Sequence, residues 1–251
     1  MSSSAGSQVP PSPPASRAVG VGCTLTSRGN GDIVIQKVIP GSPAAFSCKL
    51  AVDDQLLRID GWNVAGSSHE EVSRRITGPE GTSVRISYRI RKLYQGQTVI
   101  HSDEEIILIR QKSVAIPDRL CEGPMGLGVD PLPVDGQGIM VRSLRNGGAA
   151  ELAGGLQLHD VIVRINDRDV RCLDPGADLG RLTTGPAFSR AALLVLRAGS
   201  MMAVDLVRAV PLVGELRMKH DAYRALVAGA QLVPAGALPR SGPNVILYIY
   251  I

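Results

Sequence analysis

A repeat the size of a whole domain constrains the fold of this chain more than any other feature. When the sequence is shifted against itself by 106 residues, residues 19–64 match residues 125–170 without a gap, and ten of the 46 aligned pairs are identical. The matched stretches are VGVGC with MGLGV, IVIQKV with IMVRSL, GSPAAF with GGAAEL, and LLRIDGWNV with IVRINDRDV. Because solenoid repeats are only about 20–50 residues long, this period indicates a duplicated domain.

The first copy alternates short strand patterns with turns that contain glycine. Strands are predicted at residues 21–26, 33–38 and 55–60. A short helix is expected after Ser42, because serine is a good N-cap and Pro43 then occupies the first helical position.

A second, longer helix and a hairpin complete the first copy. A capping box, formed by Ser67 with Glu70 or by Ser68 with Glu71, opens the helix. The helix is predicted to run through Ile76 and to stop at Gly78–Pro79. GTSVRISYRI and EEIILIRQ are predicted to form two strands joined by a long loop at 91–103.

The second copy repeats this order of elements. It is predicted to contain the strand GIMVRSL, the short helix AAELAGG, the strand DVIVRIN, the longer helix DPGADLGRLTTGP and the hairpin ALLVLRAGSMMAVDLVRA. Each copy therefore has about five or six strands and two helices in fewer than about 100 residues, which is an α+β fold built as a small barrel or sandwich.

These patterns divide the chain into five segments. They are a Ser/Pro-rich head at 1–16 that is predicted to be disordered, a first domain at 17–113, a linker at 114–121, a second domain at 122–212 and a tail at 213–251.

Composition narrows the function. The formal net charge of +4 is mild and aromatic residues make up 3% of the chain, so we expect no nucleic-acid partner and no membrane contact except through the tails of membrane proteins. The four cysteines form no CxxC pair, which predicts a reducing, cytoplasmic location without disulfides, metal or cofactor. No GxSxG, HExxH or Walker motif is present, so we expect a protein that is not an enzyme.

Several linked motifs, in the same order twice, resemble the PDZ domain family in two tandem copies. They are VGVGC, PGSPAAFS, KLAVDDQLLRIDG, SHEEV and ITGPEGTSV in the first copy, and MGLGV, GLQLHDVIVRIND and DLGRLTTGP in the second. Asp53 and His159 stand where this family usually has a glycine at positive φ, and both residue types tolerate that conformation better than most.

The resemblance implies a scaffold or adaptor that binds the C-terminal peptides of partner proteins as an added strand between the second strand and the longer helix. Carried over to the first copy, Val19, Gly20 and Val21 form the carboxylate loop and Arg17 assists through water. The backbone of Val21, Cys23 and Leu25 faces the ligand. The helix contributes His69, Ser73 and Ile76 from one face, with the ring of His69 bonding a ligand Ser or Thr hydroxyl.

In the second copy the corresponding site is predicted to be weaker. Its loop and strand residues are Met125, Gly126, Leu127 and Val129, and Leu179 and Leu182 are groove candidates that core packing explains equally well. Pro131 lies where the ligand-facing edge needs an amide donor, so one ladder bond is lost.

The tail leaves two further possibilities open. ELRMKHDAYRALVAGA is predicted to form a helix with a partial apolar stripe at Leu216, Tyr223, Leu226 and Val227. The chain ends in the β-prone sequence VILYIYI, whose Ile249, Tyr250 and Ile251 resemble a hydrophobic PDZ ligand. This end is predicted either to add as a strand or to dock in a groove, that of the second copy, which would allow self-association, or that of another protein's PDZ domain. The alternatives to an adaptor are therefore a regulatory subunit of a processing protease and a self-assembling structural protein.

Overall fold

The computed structural model describes residues 18–94, 98–121, 123–172 and 179–231. Arg17 and the end of the tail, including Ile249, Tyr250 and Ile251, lie outside the described residues, so the roles predicted for them stay predictions. Among the described residues no helix is long and apolar enough to cross a membrane.

Within residues 18–94 and 98–109, the first module contains eight strands and two helices. The strands are β1 (Ala18–Val19), β2 (Cys23–Ser27), β3 (Ile33–Val38), β4 (Gln55–Ile59), β5 (Trp62–Asn63), β6 (Gly78–Pro79), β7 (Ser83–Tyr94) and β8 (Thr98–Ile109); the helices are α1 (Pro43–Ser47) and α2 (His69–Ile76). The main sheet has the order β2-β3-β4-β7-β8, with β5 paired to β4, and β1 pairs with β6.

The second module repeats this architecture. Its strands are β9 (Met125–Gly126), β10 (Val129–Val134), β11 (Gly138–Leu144), β12 (Val161–Ile165), β13 (Arg168–Asp169), β14 (Thr184–Gly185), β15 (Arg190–Arg197) and β16 (Ser200–Val207); its helices are α3 (Ala149–Ala153) and α4 (Leu179–Thr183). The order β10-β11-β12-β15-β16, with β9 paired to β14, matches the first sheet strand for strand. The predicted duplication and α+β fold are confirmed.

Local chemistry explains where the short helices begin. Ser42 caps α1 by accepting a hydrogen bond from the amide of Ala45 at 3.2 Å, and Pro43 occupies the first turn as predicted. Of the two serines proposed to open α2, Ser68 is the N-cap, because its hydroxyl accepts a hydrogen bond from the amide of Glu71 at 3.2 Å.

One sequence prediction in the first module is wrong. Residues 91–103 were expected to be a loop, but β7 continues to Tyr94 and β8 begins at Thr98. Opposite charges hold part of this extension together, because Arg89 donates to both carboxylate oxygens of Asp103 at 2.6 and 2.8 Å. Most of this stretch therefore belongs to an extended hairpin.

The tail contains a third component, helix α5 (Glu215–Gln231), which connects the two modules. It packs on a buried cluster, here called the junction cluster, that takes residues from both modules and from α5: Phe46, Cys48, Ile109, Ala149, Leu152, Ala209, Leu212 and Tyr223. The predicted apolar stripe is correct at Leu216, Tyr223 and Val227, whereas Leu226 is 57% exposed.

Polar contacts also join the modules directly. Arg190 donates to Asp54 at 2.7 Å and to the carbonyl of Lys49 at 2.8 Å, and the amide of Val52 donates to the carbonyl of Phe188 at 3.0 Å. Together with the junction cluster, these contacts pack the two modules against each other.

Candidate functional site

The candidate site of the first module is the open edge of its sheet, beside α2. Strand β2 is the last strand of the sheet on this side, and α2 lies against it. The amide of Ile39 donates to the carbonyl of Gly22 at 2.8 Å, so the polar backbone groups of Gly22 face β3. Because amides alternate along a strand, those of Cys23 and Leu25 face the open edge.

Directly before β2 the chain presents a run of amides without acceptors. Among the described residues, none of the amides of Gly20, Val21 and Gly22 donates a hydrogen bond. The loop is fixed from behind, because its carbonyls accept from α1: the amide of Ala44 reaches Val21 O at 2.9 Å and the Ser42 hydroxyl reaches Gly22 O at 3.2 Å. Consecutive free amides of this kind can bind a carboxylate.

The strict requirement for glycine in this loop lies at Gly22, two residues after Gly20. Gly22 has φ +80°, and a Cβ there would lie 2.1 Å from the Cβ of Ser42. Gly20 has no such φ, and its nearest neighbours would be Thr77 Oγ1 at 3.8 Å and the Gly22 amide nitrogen at 4.0 Å. The loop conformation therefore requires glycine at Gly22, while the missing side chain of Gly20 leaves space in front of the loop amides.

Apolar side chains surround this loop. Val21, Leu25 and Ile76 are buried in the core of the first module, and Cys23 packs against it half-buried. Burial raises the pKa of the Cys23 thiol to about 12, so this thiol is protonated and unreactive at neutral pH. The four residues form an apolar floor next to the free amides.

His69 is the first residue of α2 and is about half exposed. Its Nε2 lies 3.2 Å from Oε1 of Glu70. Ser73 follows one turn later on the same helix and is half-buried. The ring of His69 is therefore accessible at the end of α2, where a ligand hydroxyl could replace Glu70 as its partner.

The equivalent loop of the second module is partly closed. The amide of Leu127 donates to the carbonyl of Thr183 in α4 at 3.1 Å, so one loop amide is already used. Met125 is buried in the core that reaches across to the first module, and Gly126 is paired in β9. Val129 is buried, and Pro131 lies on the edge strand β10 beside a register shift, as expected.

The two helix residues proposed for the second groove pack on the core. Leu179 and Leu182 are half-buried against the second hydrophobic core, which favours the packing alternative stated above. The start of the predicted longer helix, residues 174–178, lies outside the described residues.

Sequence reasoning missed the residues that shape the loop from outside it, Ser42 and Arg110. Arg110 is buried, and its Nε donates to the carbonyl of Ile76 at 2.7 Å. The only sequence signal is the position of an arginine after the closing strand of each copy, Arg110 and Arg208. Within the part of the chain that the structure describes, no cluster of His, Cys, Asp and Glu could hold a metal ion.

These features agree with a comparison to known families. The sequence model of the PDZ domain matches residues 14–89 and 113–174, which together exceed half of the chain. The protein belongs to the PDZ domain family and contains two copies of the domain.

Its relatives are much longer proteins. The chain is 30% identical over 140 residues to an InaD-like protein from Rattus norvegicus, covering 55% of the chain and 7% of that protein. It is 29% identical over 143 residues to human Disks large homolog 2, covering 54% of the chain and 14% of the relative.

Solved structures include the PDZ domain of a carboxy-terminal protease from Vibrio cholerae, with 23% identity, a TM-score of 0.31 and coverage of 38% of this chain and 95% of that one. INAD PDZ45 in complex with an NG2 peptide has 15% identity and a TM-score of 0.23, with coverage of 84% and 98%.

Proposed function

We propose that the chain is a non-enzymatic adaptor that captures the C-terminal peptides of partner proteins, mainly through its first module. The observation that carries this proposal is the run of free amides at Gly20, Val21 and Gly22, placed directly before an open edge strand. A peptide that extends β2 would bring its terminal carboxylate to these amides and its last side chain to the apolar floor.

The differences between the two loops support different roles for the two modules. The second loop has lost one donor to Thr183, its edge strand carries Pro131, and Met125 is buried. We propose that the second module contributes mainly by supporting the first through the junction cluster. Short peptides bound by a few main-chain bonds and one pocket bind with about micromolar affinity, on the order of 8 kcal/mol.

His69 gives the proposed site a preference. Its exposed ring at the start of α2 can bond a Ser or Thr hydroxyl two residues before the ligand's end. We therefore expect ligands that end in Ser/Thr, any residue and an apolar residue. The partners are proposed only at this chemical level, since the relatives are far longer than this chain.

An array of C-terminal peptides, probed with the full chain, tests the proposal. Gly20→Leu should weaken capture at least about tenfold, because the new side chain would stand between Thr77 and the Gly22 amide, over the loop. Gly126→Leu is the matched control, since a Cβ there meets similar surroundings at 3.8 and 3.9 Å. It should leave capture unchanged.

The same array also tests the preference for Ser or Thr separately from peptide binding in general. His69→Ala should lower binding of the Ser/Thr peptides about fivefold, the equivalent of about 1 kcal/mol for one hydrogen bond, while peptides with an apolar residue at that position keep their affinity. Equal spots for the wild type and both site variants would show that the proposed groove is not the binding site.

A further inference from the structure

Arg110 and Arg208 occupy equivalent places in the two modules but make different contacts. Each is buried, follows the closing strand of its module, and exchanges backbone hydrogen bonds with the turn after α2 or α4. A Cβ on Gly78 or Gly185 would lie about equally close to the respective guanidinium, 3.0 Å from Arg110 Nε and 2.9 Å from Arg208 Cζ. The two side chains are thus matched in position.

In the first module the guanidinium is bonded to the C-terminal end of α2. Nε donates to Ile76 O at 2.7 Å and one terminal nitrogen donates to Arg75 O at 3.0 Å. The other terminal nitrogen holds Ser83 O at 2.7 Å and the Thr82 hydroxyl at 3.0 Å. A charged donor on a carbonyl oxygen is stronger than a neutral amide donor, so Ile76 O is committed to Arg110.

In the second module the corresponding bond is absent. Nε of Arg208 is buried and has no hydrogen-bond partner among the described residues. The residue equivalent to Ile76 is Thr183, since the side chains of Thr77 and Thr184 cap the two helices in the same way. The carbonyl of Thr183 accepts the amide of Leu127 instead, at 3.1 Å.

The exchange of partners explains the state of each loop. Where the arginine takes the helix carbonyl, the loop amide of Val21 is left without an acceptor. Where the arginine does not, the equivalent amide of Leu127 binds that carbonyl, and the short strand β9 is paired one residue further than β1. In each module one of these two donors, and not both, bonds the equivalent carbonyl.

We infer that Arg110 is a positioning residue that keeps the Val21 amide available for a ligand carboxylate, and that the missing Arg208 bond lets the second loop close on itself. The part of this inference that concerns a ligand carboxylate rests on the proposed function. Its structural half, the exchange of donors at the helix carbonyl, does not depend on any ligand. Arg110 does not touch the ligand. It acts by occupying the carbonyl that would otherwise bind the loop.

Amide hydrogen exchange in the ¹⁵N-labelled full chain tests the structural half without any peptide. In the wild type the Leu127 amide should be protected and the Val21 amide should exchange at least about tenfold faster. Arg110→Met should protect Val21. Arg110→Lys, which keeps the charge and a donor, should leave Val21 exposed and guards against loss of folding in the methionine variant. Equal exchange of Val21 in all three proteins, or a protected Val21 in the wild type, would overturn the inference.

Peptide binding tests the consequence. The probe is one Ser/Thr-x-apolar peptide made with a free carboxylate and again with a C-terminal carboxamide. Arg110→Met should weaken the carboxylate form about tenfold and the carboxamide form much less, because the charged carboxylate, with two acceptor oxygens, gains more from the Val21 amide than a neutral carboxamide does. Arg208→Met is the control and should alter neither affinity.

The two failures can be told apart. An unchanged ratio of the two affinities in Arg110→Met would refute the role of Arg110 while leaving the binding site intact. A wild-type chain that binds neither form would refute the proposed function, and amide exchange would still decide whether Arg110 controls the loop.

Discussion

Asp54 and Asp160 lie 106 residues apart at the same position of the two copies, yet their pKa values move in opposite directions. Burial raises the pKa of Asp54, and the bonds from Arg190 in the other module and from the Ala51 amide, both to the same oxygen Oδ2, do not offset this. Burial also opposes ionisation of Asp160, but Arg197 holds both its oxygens at 2.7 Å and the Gln157 amide adds a third bond, so its pKa is lowered. A two-oxygen pair within one module stabilises the charge better than one contact between modules.

This difference predicts opposite pH dependences. Because the folded-state pKa of Asp160 is lowered, its ion pair contributes stability above about pH 4, and this is lost as the pH falls through the folded-state pKa. Asp160→Asn should therefore cost on the order of 1–3 kcal/mol at pH 7 and progressively less below about pH 4. Urea unfolding at several pH values measures this.

Asp54→Asn provides the contrast. The raised pKa of Asp54 means that the folded state binds a proton first, so the wild type gains stability from this group as the pH falls toward about 4. The free energy of unfolding of the wild type minus that of Asp54→Asn should therefore rise as the pH falls through that range. Parallel pH profiles for the two variants would contradict the assignment.

The residues of the candidate site were predictable to different degrees. The loop and the start of α2 have sequence signals, namely paired glycines and a capping serine, and the structure places them next to an open edge. The steric need for glycine at Gly22 was not predicted, because it depends on the close approach of Ser42, 20 positions away in sequence. Arg110 was also missed, since it bonds mainly to backbone carbonyls, and every residue type has a backbone carbonyl.

At the scale of elements, the sequence predicted strands and short helices well where alternation and caps are local. It was wrong at residues 91–103, where charged residues suggested a loop, because the register Arg89 to Asp103 can be seen only when both strands are paired. Helix α5 was expected from its stripe, but its position was not. A stripe shows that a face is buried, without showing what covers it.

Helix α5 should stabilise the first sheet through one hydroxyl. The buried amide of Ile109 donates to Tyr223 Oη at 3.1 Å, and burial raises the pKa of Tyr223 to about 12, so the hydroxyl stays neutral at physiological pH. Tyr223→Phe should lower the unfolding free energy by about 1–2 kcal/mol, because this amide would lose its acceptor. Leu226→Ala on the exposed face of the same helix should change it by less than about 0.5 kcal/mol. Equal effects of the two substitutions in urea unfolding would show that the hydroxyl contributes nothing.

At the scale of the whole molecule, the sequence predicted two domains in a row, and the structure packs them together. Nothing in either copy indicates the contact between Arg190 and Asp54, because its partners are 136 residues apart. The junction cluster likewise draws on three separate parts of the chain. Contacts of this kind depend on how the two folded modules pack against each other, and they leave no periodic pattern in the sequence of either module.

The modules should therefore unfold together. Phe46 is 4% exposed and packs against the rings of His220 and Tyr223, with centroid distances of 5.8 and 6.0 Å. Phe46→Ala should cost about 3–5 kcal/mol, divide one thermal transition into two and increase the radius of gyration measured by small-angle X-ray scattering.

Val64→Ala serves as the control, because Val64 is buried in the first core away from the junction cluster. It should lower stability without changing the radius of gyration. Two separate transitions in the wild type, or an unchanged radius in Phe46→Ala, would show that the modules are not held by the junction.

The contact between Tyr223 and Ile109 also decides where the first sheet can grow. The phenol oxygen stands where a neighbouring strand would have supplied a carbonyl, so at Ile109 the β8 edge is capped by a side chain. The opposite edge, β2, has no such cap at Cys23 and Leu25. An incoming extended segment can therefore continue the sheet at β2 but not at this level of β8. The fold thus gives sheet extension a direction, away from the β8 edge that Tyr223 of α5 caps and toward the loop of free amides.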